Sequence, residues 1–131
     1  MMIDEAKLLG LAKEAAARAY APYSEFRVGA AIQTTDGGIY TGVNIENASF
    51  GLTLCAERAA FAAAVTDGQR KFTSIAVAAL GRRLVWPCGA CLQALSEFGR
   101  DILIITEDES GQPVSRNLKE LLPESFDFKK E

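Results

Sequence analysis

The chain contains no histidine, so no imidazole is available as a metal ligand or a general base. It also lacks an excess of positive charge: 14 Lys and Arg stand against 17 Asp and Glu, a net charge of −3. Wholesale binding to a nucleic-acid backbone needs a basic surface, so that class of partner is excluded. No apolar run approaches the length of a membrane-spanning helix, which excludes a membrane partner of that kind. The opening Met1-Met2-Ile3-Asp4-Glu5 has neither a basic region nor a long apolar stretch, so no signal peptide is expected. Only three cysteines are present. An odd count without an export signal reads as reduced thiols in a cytoplasmic protein.

What is there is enough for one domain spanning 1–131, with 49% hydrophobic residues and a core that needs no disulfides. Asp4 is a suitable N-cap, and Leu8, Leu11, Ala12, Ala15 and Ala19 recur at helical spacing, predicting a helix over roughly 4–20 that ends before Pro22. Its alanine face suits close packing on something flat. Phe26 to Thr34 reads as a strand with Val28, Ala30 and Ile32 on one face, and Asp36-Gly37-Gly38 turns it into a partner strand from Ile39 to Asn44.

A second helix follows from about Cys55 to Asp67, closed by Gly68, and its near-continuous apolarity predicts burial on most sides. Ser74 to Leu80 is an apolar strand, Gly89 to Phe98 a helix capped by Gly99, and Ile102 to Thr106 another apolar strand. A short fifth strand is placed around Val114. Asn117 caps a brief helix through Leu118, Leu121 and Leu122 that stops at Pro123, and a polar tail runs from Glu124 to Glu131. A hairpin followed by strand–helix–strand alternation predicts a three-layer α/β/α sandwich with a mixed five-stranded sheet.

All three cysteines fall in two stretches, Thr53-Leu54-Cys55-Ala56-Glu57-Arg58 and Trp86-Pro87-Cys88-Gly89-Ala90-Cys91. A structural zinc site takes four protein ligands, whereas a catalytic one takes three and keeps a position for water. Three thiols with one nearby acid therefore have the composition of a zinc–water enzyme. Both stretches lie where a helix begins, and a helix N-terminus favours the thiolate that binds metal. Cys88 and Cys91, three apart, share one helical face. Glu57 cannot share a face with Cys55 inside a regular helix, but it can aim past Cys55 if that cysteine sits at the very end. Arg58 could donate to a cysteine sulfur and offset the negative charge of three thiolates.

These motifs resemble the zinc nucleoside deaminases, and the likeness to the small three-cysteine cytidine deaminases covers nearly the whole chain. Beside the Cys55-Ala56-Glu57 and Pro87-Cys88-x-x-Cys91 pair, Ala19-Tyr20-Ala21-Pro22-Tyr23-Ser24-x-Phe26-x-Val28-Gly29-Ala30-Ala31 is similar to their N-terminal block. Gly42-x-Asn44-Ile45-Glu46-Asn47-Ala48 is similar to their nucleoside-binding block, and Glu120-Leu121-Leu122-Pro123 to their C-terminal one. The resemblance implies that Cys55, Cys88 and Cys91 hold one Zn²⁺ per chain and that Glu57 shuttles protons. It further implies that Phe26 packs on the pyrimidine, that Asn44 and Glu46 bond the ribose hydroxyls, and that main-chain groups around Ala56 and Cys88 read the base edge. Phe50 and Phe126 would close sites at the subunit boundaries of a homotetramer. The implied reaction is hydrolytic deamination of cytidine and 2′-deoxycytidine, hydroxide attacking C4 while Glu57 protonates N3 and the leaving amine.

One departure stands out. Leu92 occupies a position where many relatives carry arginine, which leaves Arg58 with more of the charge compensation. Two other functions fit less well. The ribose-suited Asn44-Ile45-Glu46-Asn47 block argues against a deaminase of another aminopyrimidine, such as one of the blasticidin type. Glu57 argues against a non-catalytic zinc protein that binds a partner, since a structural site has no use for it.

Overall fold

The computed structural model of the chain describes residues 4–128. In order it contains α1 (Glu5–Ala16), β1 (Val28–Thr34), β2 (Ile39–Val43), α2 (Ala56–Thr66), β3 (Phe72–Ala79), α3 (Gly89–Ser96), β4 (Leu103–Glu107), β5 (Pro113–Asn117) and α4 (Leu118–Leu121). A single 3-10 turn, Phe50–Leu52, precedes α2. The five strands form one sheet in the order β2-β1-β3-β4-β5. β1 runs antiparallel to both β2 and β3, β3 and β4 are parallel, and β5 returns antiparallel to β4. The mixed five-stranded sheet and its helices are those expected, and α3 is the crossover that parallel strands require.

Local chemistry explains the element ends. The Asp4 carboxylate accepts from the Lys7 backbone N–H at 3.0 Å and starts α1. Gly37 takes φ of 95° in the hairpin turn and Gly68 takes 93° beyond α2, conformations that cost glycine nothing. Asn117 and Glu120 form a capping box at α4, the Asn117 N–H donating to Glu120 Oε1 at 2.7 Å.

Two expectations are corrected. α1 ends at Ala16 rather than near residue 20, because the backbone that follows is needed elsewhere: the Tyr20 N–H donates to Asn44 O at 3.0 Å, and Tyr20 O accepts from the Glu46 N–H at 2.8 Å. That pairing docks the segment before β1 onto the end of β2. α2 is not buried on most sides. Ala56, Glu57, Ala60 and Ala64 form one buried stripe, while Ala62 and Ala63 face outward. Of the tail, 124–128 is described, with Phe126 and Phe128 exposed, and 129–131 lies outside the described residues.

The core lies in two sheets of contact, one on each face of the strands. Leu8, Leu9 and Ala12 of α1 pack on Ala31, Ala76, Ala78 and Ile105. On the other face Ala56, Ala60 and Ala64 of α2, with Leu92 and Leu95 of α3, pack on Val28, Ala30, Ile32, Ile75, Val77 and Ile104. β1 is therefore buried along its whole length. Two glycines let helix backbone rest directly on strand backbone. A Cβ on Gly29 would lie 2.1 Å from Ala12 O of α1, and one on Gly42 would lie 2.3 Å from Ala60 N of α2. The second contact fixes the height of α2, and with it the end that carries the cysteine and the acid.

Candidate active site

Cys55 is the N-cap residue of α2 and Cys88 that of α3, both with extended backbone; Cys91 follows inside the first turn of α3. The two helices begin side by side, and the three sulfur atoms lie within 4.8 Å of one another. Cys88 Sγ and Cys91 Sγ are 3.7 Å apart. Zinc–thiolate bonds of about 2.3 Å at tetrahedral angles place sulfurs about 3.8 Å apart, so the donor set fits zinc in both chemistry and spacing. Because Cys55 stands outside the helical backbone, Glu57 in the first turn of α2 can lie beside the cluster, the condition the sequence left open.

Electrostatics separate the members of this group. Burial pushes the Glu57 carboxyl above the ordinary carboxylate value, with its own backbone N–H and the Arg58 charge pulling the other way. Cys88 feels burial too, but the backbone N–H groups of Cys91 and Ala90 outweigh it and hold the thiol below its usual value. Cys91 goes the other way: burial first, then the nearby Glu57 and Cys55, push it well up. The helix-start effect expected for both cysteines of α3 thus operates on Cys88 and is overridden at Cys91. Arg58 Nη2 lies 3.8 Å from Cys55 Sγ, and that contact raises the guanidinium pKa. Arg58 Nε is buried without a hydrogen-bond partner, an unmet donor next to a sulfur cluster that gains negative charge on binding metal. Leu92 sits in the core, 5% exposed.

A cavity of about 290 Å³ opens beside the sulfurs. Phe26, Asn44, Glu46, Ala56 and Glu57 all line it, together with Cys55 and Cys88. Asn44 is 8% exposed and already committed: its Oδ1 accepts from the Val28 N–H at 2.9 Å and its Nδ2 donates to Phe26 O at 2.7 Å. Glu46 accepts from the Tyr23 and Ser24 N–H groups at 2.9 and 3.1 Å and from the Ser24 hydroxyl. The Ser24 hydroxyl in particular holds the Glu46 carboxyl below its ordinary pKa. These two side chains clamp the Tyr23–Phe26 segment, in which Glu25 adopts φ of 61°, and so present the Phe26 ring. The guanidinium of Arg82 lies 5.5 Å from the centroid of that ring.

Phe50 and Phe126 do not line the cavity. Both stand on the surface, 72% and 71% exposed. Phe50 touches Tyr23 edge-on at 5.8 Å. Phe126 is held through its backbone: Gln93 Nε2 donates to Phe126 O at 2.8 Å, and the Phe126 N–H donates to Gln93 Oε1 at 2.9 Å. Gln93 thus ties the tail to the helix that bears Cys88 and Cys91. Thr53, Leu54, Val85 and Trp86 also line the cavity and were not anticipated, although Trp86 stands in the Pro-Cys motif itself and is its largest side chain. A larger open trough, about 800 Å³, passes Lys13, Arg83 and Glu107. Three of its charges are spent on each other, Lys13 and Arg83 both pairing with the buried Glu107.

Residues 2–106 match the family described as the cytidine and deoxycytidylate deaminase zinc-binding region. A cytidine deaminase of Sporosarcina psychrophila is 43% identical over 125 residues, covering 95% of this chain and 92% of its own. One from Mycobacterium tuberculosis is 44% identical over 124 residues, 95% of this chain and 90% of its own. The crystal structure of a Burkholderia pseudomallei cytidine deaminase superposes with a TM-score of 0.88 at 40% identity, covering 95% of this chain and 100% of that one. Among the described residues no helix is long and apolar enough to cross a membrane.

Proposed function

Since the chain belongs to the cytidine and deoxycytidylate deaminase family, we infer that it is a zinc-dependent enzyme catalysing the hydrolytic deamination of cytidine to uridine and ammonia. The observation that carries this reading is one juxtaposition: three thiols within 4.8 Å of one another, two of which, Cys55 and Cys88, line an apolar cavity of nucleoside size together with Glu57, itself 6% exposed. Cys55, Cys88 and Cys91 would hold the zinc, which as a Lewis acid would bring the pKa of a water to about 7.

The chain's own residues supply the rest. Glu57 takes a proton from the attacking water and delivers it to N3 as the C4–O bond forms. It then carries the second proton to the exocyclic amine, so that ammonia leaves and the C4 carbonyl of uridine remains. Phe26 offers a ring face to the pyrimidine. Asn44 retains one amide hydrogen beyond its bond to Phe26 O, and Glu46 Oε2 retains a lone pair beyond the one engaged by the Ser24 hydroxyl, so both can still meet ribose hydroxyls. Ala56 contributes backbone at the start of α2, where an N–H has no partner within the helix. 2′-Deoxycytidine keeps the base and the 3′-hydroxyl for these contacts and lacks only the 2′-hydroxyl.

The same reading makes the enzyme a cytoplasmic homotetramer with Phe50 and Phe126 closing cavities of neighbouring subunits. The exposed Phe50, Leu52, Tyr23 and Phe126, and the outward Ala62 and Ala63 of α2, are the apolar surface such an assembly would cover. Free thiols suit a reducing compartment. Loss of the cytosine absorbance with cytidine and deoxycytidine, compared with CMP and repeated with Glu57→Ala of equal zinc content, tests the reaction. An unreacted nucleoside in a fully zinc-loaded sample would overturn it. Sedimentation showing a monomer at micromolar concentration would sink the shared-site reading.

A further inference from the structure

The cavity has a second aromatic surface to which the deaminase reading assigns no task. Trp86 is the chain's one tryptophan. It lines the same cavity as Phe26 and Cys88 and at the same time packs against the core cluster beneath α2 and α3. Position and stiffness both come from its neighbours. Pro87 has its φ locked by the ring and biases the residue before it towards extended backbone. From outside, Arg116 of β5 lays its guanidinium carbon 5.7 Å from the indole centroid. The Arg116 backbone is itself registered against Ile104 in the sheet. The indole is thus held by core, backbone and cation, and part of its surface lines the cavity.

We propose that Trp86 is a substrate-contact residue, its indole packing on the planar base in the cavity, and that Arg116 is the positioning residue that holds the indole there. This rests on the nucleoside reading of the site and extends it. A planar heterocycle gains most from a flat, pre-placed aromatic partner, and one such contact changes binding by roughly ten- to hundredfold on truncation to alanine. Tryptophan suits the task because only two torsions have to be fixed, and core packing and the Arg116 cation both bear on the ring before ligand arrives. The cation over the ring adds a further grip that a purely structural core tryptophan does not need.

Because there is one tryptophan, indole emission reports on this residue alone. Uridine is titrated into the zinc-loaded wild-type enzyme, and cytidine into zinc-loaded Glu57→Ala, with excitation on the red edge of the indole band. A saturable change is expected in both, its midpoint with uridine equal to the constant for product inhibition. Trp86→Phe keeps an aromatic face and should hold KM within a few fold. Trp86→Ala should raise KM roughly tenfold or more with zinc per chain unchanged. Arg116→Gln should shift the emission of the free enzyme and raise KM less, and Arg116→Lys should restore part of both. Turnover of cytidine with emission unmoved at saturating uridine, and with unaltered KM in Trp86→Ala, would overturn the contact and leave the reaction standing. An emission response without turnover in the wild type would keep the contact and overturn the reaction.

Discussion

Replacing Gly42 by alanine puts the link between packing and catalysis to a numerical test. Gly42 does not have a positive φ, so the added methyl group is a question of space alone. It would lie 2.3 Å from Ala60 N, 2.7 Å from Ala56 O and 2.8 Å from the carbonyl carbon of Ala59, all of them backbone atoms of α2. Relief to ordinary contact requires α2 to retreat by about 1 Å. Overpacking of this kind costs roughly 1–3 kcal/mol, and each kcal/mol lowers Tm by roughly 4 °C in a domain of this size. The retreat carries Cys55 and Glu57 with it. A 1 Å misplacement at reacting groups costs on the order of 10²-fold in rate.

Gly29→Ala is the matched control. Its methyl would meet Ala12 O of α1 at 2.1 Å, a clash at least as severe, on the face of the sheet away from the cavity. The two variants should therefore lose similar Tm, while kcat/KM per zinc-loaded chain collapses on the order of 10²-fold only in Gly42→Ala. Calorimetry, metal analysis and steady-state assays on the same preparations decide it. Equal loss of activity in both, or full activity in Gly42→Ala, would refute the claim that the Gly42 contact sets the height of Glu57.

Other consequences follow from the side chains around the cavity. Arg58→Gln should weaken zinc affinity by roughly 10–100-fold, and Arg58→Lys by less, as read by competition with a chromophoric chelator; equal affinities would mean that the 3.8 Å contact to Cys55 is packing alone. Gln93→Leu removes both hydrogen bonds to the Phe126 backbone; amide exchange at Phe126 should accelerate while zinc content stays constant, and unchanged exchange would show that the tail is held otherwise. Glu46 has its pKa depressed below 4.5 in the fold, so its grip on Ser24 and Tyr23 is complete above that value and is lost as pH falls through the lower folded one. Protection of the Tyr23 and Ser24 amides, exchange corrected for the intrinsic pH dependence, should fall across that acid limb in the wild type, and should be low and flat with pH in Glu46→Gln.

The metal-binding half of the site is legible in the chain because spacing alone carries it: Cys88 and Cys91 are three apart at a helix start, and Cys55 stands just outside another. The half that binds substrate is less so. Trp86 lies within the motif, yet nothing in its neighbours says that the indole turns towards a cavity; that depends on β5 bringing Arg116 alongside. The end of α1 is misjudged for a related reason. Ala17 to Ala19 would continue a helix on propensity, but hydrogen bonds from Tyr20 to Asn44 and Glu46, residues more than twenty positions away, claim that backbone. Period-two alternation identified the face of β1 that carries Val28, Ala30 and Ile32. It gave no sign that the opposite face is equally buried, because Gly29 and Ala31 show no bulk until α1 is laid over them.

Asn44 and Glu46 have a double allegiance that bears on how such a site can change. On the proposed reading each meets a ribose, and each is also a tie that keeps the Tyr23–Phe26 segment in place. A substitution chosen to admit a different sugar would loosen the segment that presents Phe26, so sugar and base recognition cannot be tuned one at a time from these positions. Val85 meets the same cavity from another segment and with apolar surface alone. Variation in substrate range, whether by drift or by engineering, has a freer path along that wall than along the sugar-facing one.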